Sequence, residues 1–324
     1  MAITLAVWAL YEFAGPQAWW VELLRYLPYP IYLAPPALAV LASAALGWRW
    51  RAVAGIALAL IAVDVMGLAW GRADAGTGRL RLMTWNAKAF GLHTPGQHGR
   101  VAAEIARHDP DVLVLQDSNA YGSDAIPLPQ PVQAALAQRT LFRHGQYVVA
   151  SRLPMRDCTV HDMSAGGEAR DYVRCTISVD GVDVDLVDVH FVSPRAGLNA
   201  ARREGVEGLD EWRDNYHQRL AQAGVLLRDL AGRARPLIVA GDLNAAEVSP
   251  VVRTLKAIGL RDAFSSAGTG YGYTLGHSLR TGFSFLRIDH VLVGPSIGVR
   301  DCFVGGRDAS EHRPVIADLW VRRS

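Results

Sequence analysis

PLIVAGDLNA, residues 236–245, is the stretch on which the reading of this chain turns. Pro236–Ala240 is a short apolar run of the kind that forms a strand buried on both faces. Gly241 then permits a close backbone approach. Asp242 and Asn244 follow two residues apart, so in an extended chain they share one side. An acid so placed can orient or deprotonate a water, and an amide beside it can hold an oxyanion. Taken alone, the stretch fits equally well a strand-to-loop turn whose Asp and Asn cap the backbone.

Five more segments repeat the pattern. They are TWNAK around Asn86, VLVLQD ending at Asp117, VDVHF around His190, RIDHVLV around Asp289, and SEHRPV with Glu311 and His312. Each puts an acid, an amide or a histidine where an expected strand runs out. Carboxylate oxygens suit a hard cation, and amides and imidazoles suit phosphate oxygens. Asp289 either holds and polarises a histidine or simply ends its strand. His190 follows alternating Val and Asp, in which Asp185 and Asp188 read as a solvated strand face.

Around these segments the pattern is mixed. Strands are expected at 80–86, 111–117, 147–151, 172–179, 182–191, 236–242, 287–294 and 313–321, and helices at 98–108, from Pro131, and over much of 197–231. Asp180-Gly181 is a hairpin signal between two of the strands. Hairpins together with crossovers predict an α+β layered sandwich in place of a doubly wound parallel sheet. The acids at strand ends then converge on one edge of it.

Half of the 324 residues are apolar, and the excess lies at the N-terminus. Residues 26–48 carry no charge and 52–71 carry one, Asp64. Each run reaches the ~20 residues that a membrane-spanning helix needs. The apolar stretch MAITLAVWALY, followed after Glu12 by Phe13–Val21 with Gly15-Pro16 interrupting it, adds a third, weaker span or an interfacial segment. Aromatic residues, among them Trp48, Trp50 and Trp70, fit an interfacial belt. The sequence therefore predicts a transmembrane segment over 1–71, a small-polar linker over 72–79 and a catalytic domain over 80–324. Arg49 and Arg51 between the runs place that turn in the cytoplasm and the domain on the outer side of a bacterial inner membrane; Arg72, Arg79 and Arg81 pull the other way. The net charge of +2 shows no strongly basic nucleic-acid face, and lysine occurs only at 88 and 256. The basic stretch Arg195, Arg202, Arg203, Arg213, Arg219 reads best as a solvated helix face. The three cysteines, 158, 175 and 302, form neither a zinc pattern nor an evident disulfide framework.

With these motifs in this order, the chain after the apolar segment resembles the endonuclease/exonuclease/phosphatase superfamily, and in particular its bacterial membrane-anchored members. GYGYTLGHSLRTGFSFLRIDHVLV (270–293) and SRLP (151–154) look like parts of that subgroup. The resemblance implies a four-layer α/β/β/α, deoxyribonuclease-like sandwich that hydrolyses phosphate esters with Mg²⁺, or Mn²⁺ in its place. It implies Asp117, Glu311 and Asn86 at the metal, and Asn86, His190, Asn244 and His312 on the phosphate. Asp242 would activate the water with Asn244 as its partner amide, and Asp289 would pair with His312. The family places glutamate at the position of Asp117 and aspartate at that of Glu311, so two arm lengths are exchanged here while the charge is kept. The expected substrates are nucleic acid or, alternatively, a phospholipid or inositol phosphate, with the lipid bilayer as a further partner. The alternative of another class is a membrane-anchored binding module on a weakened catalytic scaffold.

Overall fold

The computed structural model describes residues 2–89, 96–165, 167, 169–279 and 282–322. Arg280 and Thr281, inside the 270–293 stretch, lie outside the described residues. The strands are β1 Ala69–Trp70, β2 Leu80–Asn86, β3 Val112–Gln116, β4 Thr140–His144, β5 Tyr147–Ser151, β6 Met155–Asp162 and β7 Asp171–Val179. They continue with β8 Val182–His190, β9 Leu237–Asp242, β10 Arg261–Asp262, β11 Thr269–Gly270, β12 Asp289–Val293, β13 Ile297–Val304 and β14 Val315–Val321.

Two six-stranded sheets form, ordered β13-β14-β2-β3-β5-β4 and β10-β12-β9-β8-β7-β6. Only β2–β3 and β8–β9 pair in parallel; the other neighbours are antiparallel. Apolar side chains at every second position of both sheets meet in the middle, with Leu82, Val114 and Val149 facing Val173, Leu186 and Ile238 across the layer. The other face of the first sheet packs on the helix Gln97–His108 through Val101 and Ile105. That of the second packs on the helices Gly208–Leu230 and Pro250–Lys256 through Ala223, Leu226 and Val252. The architecture is thus the expected α/β/β/α sandwich. β4, β6 and β13, which the sequence pattern does not announce, extend both sheets at their edges. A disulfide joins Cys158 on β6 to Cys175 on β7, and Cys302 is free and buried.

The strand β8 departs from its expected half-solvated character. It has neighbours on both sides and layers on both faces, so Asp185 and Asp188 are buried. Asp185 is held by Arg233 and Arg235. Asp188 faces the interior of the sandwich, where Gln116 Nε2 donates to it at 2.6 Å and Thr84 joins the same amide. Burial without a counter-charge pushes its carboxyl well above the ordinary range.

The N-terminal segment differs most from expectation. No helix among the described residues is long and apolar enough to cross a membrane. Pro28, Pro30, Pro35-Pro36 and Gly47 divide the two apolar runs into the short helices Trp19–Leu24, Tyr29–Leu33, Ala34–Ser43 and Trp48–Leu60, the last prolonged by a π turn over Ile61–Val65. A helix of 13 residues rises about 20 Å, short of the ~30 Å hydrocarbon core. The charges of Arg49, Arg51 and Asp64 fall inside the longest continuous stretch.

These helices fold back onto the sandwich. Tyr11, Val21, Tyr29, Ile61 and Val65 pack with Ala246, Phe285, Leu286 and Ile288. Beneath them Glu22, Arg25 and Arg219 are almost fully buried: Glu22 bonds Arg25 at 2.9 Å and Ser249 at 2.8 Å and lies 3.5 Å from Arg219. Arg219 is therefore no part of a solvated helix face. Residues 69–74 are likewise pinned: β1 pairs with β11, and Gly71, Arg72 and Asp74 donate backbone bonds to Gly268, Ser266 and Val299.

Removing one member of a buried ionic cluster leaves its partners charged and unpaired, at a cost of about 3–5 kcal/mol. Glu22→Ala is expected to destabilise the whole protein by that amount in urea unfolding. An unchanged midpoint would show that the N-terminal helices are not seated on the sandwich.

Candidate active site

Strand register assembles the site. In the parallel pair β8–β9, His190 stands beside Asp242; in the antiparallel pair β9–β12, Asp242 stands beside Asp289. In the other sheet Asn86 and Gln116 are register partners, and Asp117 follows at once. Gly241 makes the β8–β9 approach possible. Its φ is +147°, and a Cβ there would lie 1.9 Å from the Val189 carbonyl oxygen. Asp117, Asn244 and Lys88 also hold left-handed backbone, with φ of +50°, +46° and +51°. Non-glycine residues accept this conformation where surrounding bonds enforce it.

At the centre is the Asp242 carboxylate, 1% exposed. Asn86 Nδ2 donates to Asp242 Oδ2 at 2.9 Å and to Asp117 Oδ2 at 3.3 Å, tying the two sheets together. The Asn244 N–H donates to Asp242 Oδ1 at 2.8 Å, and its Nδ2 donates to the Phe191 carbonyl at 2.9 Å. His190 Nε2 lies 3.6 Å from Asp242, while its Nδ1 bonds Gln146 Oε1 at 2.6 Å. His312 Nδ1 bonds Asp289 at 2.9 Å and lies 3.8 Å from Asp242. The SEHRP turn is fixed from below: Trp85 donates to the His312 carbonyl, and Ser310 donates to the Asn86 carbonyl and accepts from the His312 N–H.

The charges follow from this packing. Burial raises the Asp242 carboxyl and the neighbouring Asp289 raises it further, against the pull of His312 and His190. Burial depresses the His190 imidazole in spite of Asp242 and Asp117. It acts the same way on His312, but Asp289 and Asp242 outweigh it and raise that group. Asp117 is held below its usual range, because His190 and Lys88 overcome the effect of burial. The two imidazoles are thus shifted in opposite directions, His190 downward and His312 upward.

The structure brings together Asn86, Asp117, His190, Asp242, Asn244, Asp289 and His312. Glu311 stands apart from the hydrogen-bonded ring, bonded at 2.6 Å to Arg195 on its exposed rim. Asp242, Asp289 and His312 offer ligand atoms within 4.8 Å of one another. The hard oxygens of Asp117, Glu311 and the Asn86 amide suit a divalent cation, so the donor chemistry fits the metal that the sequence implies. A cavity of about 360 Å³ lined by Glu247, Val248, Arg253, Lys256 and Ala257 contains none of these groups; the titratable side chains converge in the ring instead.

Sequence reasoning missed several supports. Gln146 fixes His190 from the turn before β5, where nothing in HGQYVVAS marks it. Arg219 at 2.7 Å and the Tyr26 hydroxyl both donate to the Asn244 carbonyl, and His290 Nε2 bonds the Ala245 carbonyl at 2.9 Å. His290 was visible in RIDHV, but its role depends on β10 bringing Asp262 against its Nδ1 at 2.8 Å.

The family model of the endonuclease/exonuclease/phosphatase family matches residues 83–312. The chain belongs to this family of phosphate-ester hydrolases. Among solved structures it is similar to an endonuclease/exonuclease/phosphatase from Beutenbergia cavernae, at 25% identity and a TM-score of 0.55, over 76% of this chain and 72% of that one. It shares its fold with a family protein from Bacteroides vulgatus at 18% identity and a TM-score of 0.57, over 76% and 100%. It also shares it with a mannosyl-6-phosphatase from Bacteroides thetaiotaomicron at 15% identity and a TM-score of 0.54, over 74% and 99%. No curated protein sequence matches the chain.

The support below the loop is electrostatic and titrates. Although burial opposes it, Arg287 and His290 hold the Asp262 carboxyl far below its usual range. A depressed acid stabilises the fold above its unfolded pKa, and that contribution is lost as pH falls through the folded value. Asp262→Asn is expected to cost about 3 kcal/mol at neutral pH, with the difference from wild type shrinking steadily below the ordinary carboxylate range. Urea titrations at several pH values check this; a pH-independent difference would contradict it.

Proposed function

We propose that the protein is a divalent-metal-dependent phosphodiesterase of the nuclease kind. The observation that carries this reading is the buried Asp242 carboxylate, flanked by two histidines of opposite protonation tendency and tied by Asn86 to the acid of the neighbouring sheet. Asp242 orients a water and takes its proton as the water oxygen attacks phosphorus and the P–O bond opposite breaks. His312, held by Asp289, which raises its pKa, and His190, oriented by Gln146, neutralise the phosphoryl oxygens as negative charge builds on them. Asn86 holds Asp242 in line, and Asn244 fixes the turn that carries it. Asp117, Glu311 and Asn86 would hold a divalent ion, which would supply Lewis-acid stabilisation of the leaving oxygen; Mg²⁺ is the expected ion and Mn²⁺ the alternative.

The site reading is tested by hydrolysis of bis(p-nitrophenyl) phosphate, duplex DNA and RNA, with metal and with chelator. Asp242→Asn is expected to lower kcat by about a thousandfold or more, the scale on which loss of a positioned catalytic group acts. Metal-dependent hydrolysis that survives this substitution would remove Asp242 from the chemistry. No hydrolysis of any phosphate ester by the wild type would favour a binding module with exchanged acids.

A second substrate reading, a phospholipid headgroup, is favoured by the N-terminal helices. Ala34–Ser43 and Trp48–Leu60 pack side by side and leave Leu38, Leu41, Trp48, Trp50 and Ile56 between 56% and 74% exposed, with Arg49 and Arg51 among them. Apolar and indole side chains mixed with arginine suit the headgroup boundary of a bilayer, where a short helix lies in the plane without crossing. In this reading the hairpin rests on the outer face of the bacterial inner membrane. The Cys158–Cys175 disulfide supports that side, because such bonds persist in oxidising compartments.

Flotation with anionic vesicles is expected to carry the protein upward and to leave the Leu41→Glu/Trp48→Glu variant at the bottom. Equal flotation of both would place membrane contact elsewhere. Cleavage of vesicle phospholipid in preference to nucleic acid would select the lipid reading.

A further inference from the structure

The acid that would hold the metal already has a cation on it. Lys88 Nζ lies 2.6 Å from Asp117 Oδ2, with its side chain 19% exposed. Its charge is felt across the site: it helps to lower the Asp117 and Glu311 carboxyls, adds to the depression of His190 and opposes the rise of His312. The backbone that presents it is firmly set. Lys88 holds φ at +51°, its N–H donates to Asn86 Oδ1 at 3.3 Å, and Gln97 Nε2 donates to its carbonyl at 2.9 Å. Lysine is rare here: of 33 basic residues only Lys88 and Lys256 are not arginine. The choice has a physical reason. An ammonium is compact and rides on a flexible stem, so it can sit on one carboxylate oxygen and later leave, whereas a guanidinium holds a carboxylate in a fixed two-pronged grip.

We propose that Lys88 is an internal counter-cation of the metal seat: its ammonium neutralises Asp117 in the ion-free protein and must leave that carboxylate for a divalent ion to bind. This rests on the metal-dependent reading given above. Mg²⁺ takes carboxylate oxygens at about 2.0–2.1 Å, and an ammonium on the same oxygen would face it as a like charge. The ion therefore binds in competition with the tethered amine. The buried Asp117 is stable without metal, and affinity for the free ion is held down. Arg195 does the same for Glu311 from the rim, but that pair is 61% and 40% exposed and contributes little.

The test is direct binding of Mn²⁺ alone to the full-length protein, read from the loss of the free-ion EPR signal, with no substrate and no turnover. Circular dichroism confirms that each variant is folded. Lys88→Met and Lys88→Gln are expected to bind Mn²⁺ about tenfold or more tightly than wild type, as removal of a unit charge a few ångströms from the ion requires. Lys88→Arg, which keeps the charge, is expected to stay within about threefold of wild type or weaker. Asp117→Asn is expected to lose the binding. If wild type and Asp117→Asn differ as expected but the two neutral variants bind no more tightly than wild type, Lys88 does not compete and the proposal falls while the metal reading stands. If wild type, Lys88→Met and Lys88→Gln all fail to bind Mn²⁺, both the metal reading and this proposal fall.

Discussion

The site is organised around one awkward requirement: the Asp242 carboxylate is buried beside a second carboxylate, Asp289, with almost no solvent to screen either. Two like charges so close are tolerable only if cations and donors surround them. His312 meets both acids, His190 approaches Asp242 from the next strand, and Asn86 donates from the opposite sheet. Each of these groups sits where register puts it, and the register depends on Gly241 allowing β8 and β9 to close. The sandwich thus serves as a frame that forces charges together, and the two histidines are shifted in opposite directions as a consequence.

That frame extends further toward the N-terminus than a tethered catalytic domain would require. Arg219 and Tyr26 reach the carbonyl of Asn244, one on a helix of the sandwich and one from the N-terminal segment. Glu22 lies beneath them and neutralises Arg219 and Arg25. His290 holds the next carbonyl, and Asp262 and Arg287 stand behind it. The turn that carries Asp242 and Asn244 is therefore gripped by buried charge on two sides. Its left-handed residue, Asn244, is kept in place by bonds to three different elements.

Much of this was legible in the sequence. Apolar runs ending in Asn86, Asp117, His190 and Asp242 announced strands with polar ends, because strand periodicity and burial leave a local signature. The sandwich and the convergence of those ends followed. What was not legible depends on tertiary partners. Asp188 alternates with valine like any exposed strand residue, and only the second sheet closing over it makes it an interior acid. Arg219 looks like one more arginine on a basic helix until Glu22 arrives from 197 positions away. The apolar N-terminal runs have the length of spans, but prolines cut them and the sandwich offers their faces another partner. Lys88 stood in plain view two residues beyond Asn86, yet its meaning rests on Asp117 folding back onto it.

The central claim is that one ring of side chains receives both a cation and a phosphate ester. The most direct measurement is a crystal of the protein grown with Mn²⁺ and inorganic phosphate, mapped by anomalous scattering at the manganese edge. The account predicts a manganese peak against Asp117 and Glu311, and a phosphate between His190 and His312 within reach of Asp242. A manganese peak elsewhere on the molecule, with this ring still closed on itself and no anion between the histidines, would contradict it.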